Sequence, residues 1–108
     1  MLAMLEMSFE STADWREDIA QRYPYDIRSA DAAQTFKRLA KTVKDVSQER
    51  AERYEALWGA AGHQASQEQS SMLRSVNPWW STADQFIDDL VVRVRRVRIL
   101  RRRGESST

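Results

Sequence analysis

Along this 108-residue chain, apolar residues recur every third or fourth position, the period of an amphipathic helix. Trp15, Ile19 and Tyr23 stand four residues apart on one face. Ser11 precedes them as a cap, with Asp14 in a capping-box-like position. The spacing predicts a first helix from Ser11 and leaves residues 1–10 as an apolar N-terminal arm. Met4 and Met7 are alternative starts within it. Pro24 ends that helix, because proline cannot continue one.

A second helix opens at Ser29 or Asp31 and meets no breaker before Gly59. Phe36, Leu39, Ala40, Val43, Val46, Tyr54 and Leu57 share one stripe, interrupted by Arg50 where an apolar residue would fit. At 1.5 Å per residue, Ala30 to Leu57 would span about 42 Å. So long a helix with so narrow a stripe calls for a partner helix, in a coiled-coil-like manner. Gly59 to Gly62 reads as a loop. A third, weaker helix from Gln64 to Val76 follows, with only Ala65, Met72, Leu73 and Val76 to bury. Asn77-Pro78 ends it.

Ser81-Thr82-Ala83-Asp84 repeats the tetrapeptide at 11–14. Shared cap chemistry accounts for the repeat more simply than a duplicated domain. The last helix carries Phe86, Ile87, Leu90, Val91, Val94, Val97 and Leu100 on one stripe. Its Val-Arg alternation resembles a strand, but the alternation breaks at Arg95-Arg96 and no second strand is there to pair with it. Acids near its start and arginines near its end also suit the helix dipole. Gly104 is the expected stop, with 104–108 as a frayed tail. The expected fold is an all-α single domain over 1–108: a small bundle of three to four helices with a long second helix and a basic C-terminal helix. The second and fourth helices would form an antiparallel pair braced by the first, with the third as a short connector.

Charge divides the chain unevenly. Residues 1–90 carry 10 basic and 15 acidic side chains, a net of −5, whereas residues 91–108 carry 7 basic and 1 acidic, a net of +6. Such asymmetry bears on partners rather than on fold. Candidate contacts with phosphate or an acidic partner are Arg93, Arg95, Arg96, Arg98, Arg101, Arg102 and Arg103, and their spread around the helix suits backbone contact better than base reading. A basic helix could also lie on anionic lipid, but its apolar face is needed for the core, which disfavours a membrane surface.

No catalytic constellation is legible. His63 is the single histidine and cysteine is absent, so zinc clusters, thiolate sites and disulfides are excluded. The pairs Glu17-Asp18 and Asp88-Asp89 diverge by about 100° on a helix and do not converge as a dyad. No glycine loop cradles phosphate. The expectation is a non-enzymatic chain without cofactor, metal or small-molecule substrate. It has no signal peptide or spanning segment, so the default expectation is a soluble, cytoplasmic protein.

Four tryptophans remain to be explained. Trp79 and Trp80 are adjacent, so one is expected to be buried and the other exposed as an anchor. Trp58 is the third candidate for partner binding. Trp58-Gly59-Ala60-Ala61-Gly62 resembles the turn of the Trp-x-Gly family of secreted helical hairpins over about six residues. Here glycine follows Trp58 directly instead of standing two residues on, and the Tyr-then-acid export signal is missing. The family is therefore not adopted. The sequence favours a protein-interaction or assembly component, with a protein partner or self-association. The alternative is nucleic-acid binding through the arginine end.

Overall fold

The computed structural model describes residues 1–106, with side chains as far as Arg101. Four helices make up the fold: α1 (Leu2–Arg22), α2 (Ile27–Thr42), α3 (Gln48–Leu73) and α4 (Ala83–Ser106). A 3-10 turn at Val43–Asp45 lies between α2 and α3. No strand occurs among the described residues. The Cα positions span 50 × 34 × 18 Å. A thickness of 18 Å accommodates two layers of helices, each about 10 Å across with side chains.

Residues 1–10 are not an arm. α1 begins at Leu2, and Leu5 and Phe9 are fully buried. Leu5, Phe9, Ala13 and Arg16 recur at helical spacing and form its inner face. Ser11 is therefore exposed in mid-helix, and Trp15 and Tyr23 point mostly to solvent. The reason is energetic. Burying a Leu or Phe is worth about 1.5–3 kcal/mol, which outweighs the roughly 1 kcal/mol of a serine cap.

The turn at Tyr23–Asp26 returns the chain into α2. The Asp26 carboxylate accepts hydrogen bonds from the Ser29 hydroxyl at 2.7 Å and the Ser29 N–H at 3.2 Å. These bonds, the hydroxyl's first, hold its pKa below the usual carboxylate value. The inner face of α2 offers Ala32, Ala33, Phe36, Leu39 and Ala40. Its small residues admit α1 at close range, and α1–α2 is the most extensive helix pair of the fold. The next is α3–α4. The pairing expected between a helix over Ala30–Leu57 and the last helix is therefore divided: α2 makes only a minor contact with α4, and α3, which holds the later part of that stretch, makes the larger one.

The long second helix is not continuous. Val46 and Ser47 are extended, and the Ser47 hydroxyl accepts the Arg50 N–H at 3.2 Å. A new N-cap thus restarts the helix in a new direction. Thr42 secures the break. Its hydroxyl donates to the Leu39 carbonyl at 2.8 Å and accepts the Ala83 N–H at 2.8 Å. It thereby caps the start of α4 from the end of α2.

α3 bends sharply at Ala61, whose φ of −146° and ψ of 45° are not helical. The Tyr54 hydroxyl donates to Gln69 Oε1 at 2.6 Å, across 15 residues. A straight helix would separate these residues by about 22 Å, so the two halves fold back on each other. The reversal expected at Gly59–Gly62 falls at Ala61, where two helical segments meet across a single non-helical residue rather than a loop of several. His63, expected in that loop, is exposed on the helix beyond the kink.

The core joins all four helices. Phe9 stacks with Phe36 and meets Phe86 edge-on, at centroid distances of 6.2 and 4.8 Å. Trp80 meets Phe86 edge-on at 5.0 Å. α4 starts behind Thr82, whose hydroxyl accepts the Gln85 N–H at 3.4 Å, while Gln85 accepts the Ser81 N–H at 2.7 Å. The helix continues through Gly104 to Ser106 instead of stopping at the glycine. Ser107 and Thr108 of the expected tail lie outside the described residues.

Candidate interaction surface

Burial along α4 divides the helix in two. Ala83, Phe86, Ile87, Leu90, Val91 and Val94 are buried against the bundle. Among the described side chains beyond Val94 only Val97 is even half-covered, and Ile99 and Leu100 are exposed, Leu100 by 64%. The apolar spacing continues past Val94, but no other helix faces it there.

The arginines follow the same division. Arg93 Nε donates to Asp89 Oδ2 at 3.2 Å, and the Trp80 indole N–H donates to that same oxygen at 2.9 Å. Arg93 therefore belongs to a structural network that anchors Trp80. Arg95, Arg96, Arg98 and Arg101 are exposed. No described carboxylate lies within ion-pair distance of any of them. The side chains of Arg102 and Arg103 lie outside the described residues.

The three tryptophan candidates separate. Trp80 is 1% exposed and Trp79 is 61% exposed. Trp58 is half-buried and meets Tyr54 edge-on at 6.1 Å. Its indole nitrogen is covered and has no hydrogen-bond partner among the described residues. Burial also raises the Tyr54 pKa. Trp58 and Trp80 thus serve packing, and Trp79 is the exposed ring.

Two arginines outside the candidate set bind across the fold: Arg50, marked in the sequence only as a gap in the stripe, and Arg16, not marked there at all. Arg50 interrupts the stripe because it faces α4. It forms bidentate hydrogen bonds to Asp88 at 3.2–3.3 Å and an ion pair with Asp84 at 3.5 Å. Donating to the Asp88 carboxylate raises the Arg50 pKa, with the charges of Asp88 and Asp84 assisting. A charged residue in an apolar stripe, with two acids four residues apart on another helix, was the available signal. Arg16 is buried and donates to the Ser75 carbonyl at 2.8 Å and the Leu73 carbonyl at 3.4 Å. It thereby binds carbonyls at the end of α3, where a cation is favoured. Desolvation lowers its pKa, with Asp26 opposing.

The outer face of α1 carries the other notable surface. Met4, Met7 and Trp15 are exposed there, and the Arg16 guanidinium lies 5.0 Å from the Trp15 ring centre. Met4, Met7, Ser8, Ser11, Thr12 and Leu73 bound a shallow groove of about 430 Å³. Glu6, Glu10 and Asp14 flank these apolar residues, exposed and without a described ion pair. No group of metal-ligating side chains occurs among the described residues. No described helix is long and apolar enough to cross a membrane. No protein-family model, curated protein or solved structure matches the chain.

Proposed function

We propose that this chain is a non-catalytic interaction and assembly component, and that its contact element is α4 beyond Val94. The observation that supports this reading is the contrast along one helix. Arg93 is committed to Asp89, whereas Arg95, Arg96, Arg98 and Arg101 are exposed beside Ile99 and Leu100. The partner helix that the long apolar stripe calls for is supplied by the chain itself, because that stripe breaks at Ser47 and folds back at Ala61. The remaining capacity for a partner lies on the surface, and the α4 end concentrates it. Arginine stems and aliphatic side chains together suit a partner surface that is acidic and partly apolar.

Nucleic-acid binding is the second reading, favoured by the exposed arginines without carboxylate partners. The mass of the purified protein, alone and with a DNA duplex, separates the two. Association without nucleic acid supports assembly. Duplex binding at about 0.15 M salt, with a log–log salt slope near −0.9 per phosphate contact, would promote the second reading.

A further inference from the structure

We infer that the partner seated on the α4 end is the outer face of α1 on a second copy of this chain. The inference rests on the reading of α4 just proposed. Two exposed surfaces of the molecule complement each other in charge and in polarity. On α4, Arg95, Arg98 and Arg101 form a row at three-residue spacing, with the exposed Ile99 and Leu100 flanking it on opposite sides. On α1, Glu6, Glu10 and Asp14 run beside Met4, Met7 and Trp15.

Neither set is used within one chain. Arg22 pairs with Asp18, Lys37 with Glu17, Arg50 with Asp84 and Asp88, and Arg53 with Glu49. Although Lys37 and Lys41 line one groove with Glu6, Glu10 and Asp14, neither lies within ion-pair distance of those three acids. Glu6, Glu10 and Asp14 have no such pairing, and they stand four residues apart, so they form one row along the helix. Acid alone does not single out this face, because Asp45 and Glu55 are also exposed and unpaired. The adjoining methionines do. Their flexible thioethers bed irregular apolar surfaces such as Ile99 and Leu100. A reciprocal exchange of α4 ends would close as a dimer, and a one-way contact would grow into chains.

The test is charge reversal in trans on the full chain, read by light-scattering mass at low salt. The intact chain should associate with rising concentration. Glu10→Arg/Asp14→Arg and Arg98→Glu/Arg101→Glu should each weaken self-association by about tenfold or more, since each reversal brings like charges together. An equimolar mixture of the two should regain it. That recovery shows that both variants fold. Asp45→Arg/Glu55→Arg should associate like the intact chain. Loss on reversing α4 but not α1 would overturn the seat and leave the proposed function standing. Association that survives reversal of α4 would overturn both. An intact chain that stays monomeric at low salt would overturn the second copy as partner.

Discussion

Arg93 and Arg96 lie one turn apart on α4, and their surroundings differ. Arg93 holds the carboxylate that also fixes the Trp80 indole, so it contributes to the core. Arg96 stands in solvent with no described carboxylate near it. The same change separates Val94, fully buried, from Leu100, mostly exposed. Helical periodicity persists across this boundary, but the neighbouring helices do not. A stripe predicts that a helix has something to bury. It does not tell whether the same chain covers it.

The body should respond strongly to deletion within its shared core. Leu39→Ala should destabilise by about 2–5 kcal/mol, because Leu39 is fully buried between helices. Denaturant unfolding measures this, and a change below about 0.5 kcal/mol would place the stripe at the surface. Thr42→Val comes next, at about 1–3 kcal/mol, since it leaves the Ala83 N–H without its acceptor. Unfolding midpoints that match the intact protein would mean that α4 needs no cap from α2.

Gly59→Ala probes the kink. A Cβ at Gly59 meets nothing within 4 Å, and no described glycine has a positive φ. The substitution should therefore stabilise by about 0.5–1 kcal/mol through helix propensity and chain entropy. Destabilisation would show that glycine itself is needed for the reversal. At the far end of α4 the effect should be smallest. Leu100→Ala should change stability by less than about 0.5 kcal/mol, as for an exposed position. A loss comparable to that of Leu39→Ala would erase the distinction between the two regions.

The helical class was legible because long stretches keep one period and few breakers interrupt them. The cap of α4 was legible in Ser81-Thr82-Ala83-Asp84, but the same tetrapeptide at 11–14 lies inside α1. The four residues are identical in the two places, but the cap of α4 also uses Gln85 where the first copy is followed by Trp15, and the burial of Leu5 and Phe9 places that copy inside a helix. The break before α3 was missed because Ser47 is a weak mark within a good apolar stripe. Its cap prevails only because Thr42 and Arg50 find partners on α4, contacts remote in sequence. The exposed tryptophan was legible as one of a pair, since adjacent residues cannot both face one core. Which ring is buried depends on Phe86 and Asp89. The outer face of α1 is not legible because the only cap signal stands at 11–14 and no side chain caps the true start at Leu2.

Amide hydrogen exchange along α4, in dilute monomeric protein, tests most directly whether the helix leaves the body at Val94. Amides from Ile87 to Val94 should exchange only through global unfolding. Those from Arg98 to Arg101 should exchange orders of magnitude faster, by local opening. Uniform protection through Arg101 would contradict this division, because it would require the far end of α4 to be packed against its own bundle.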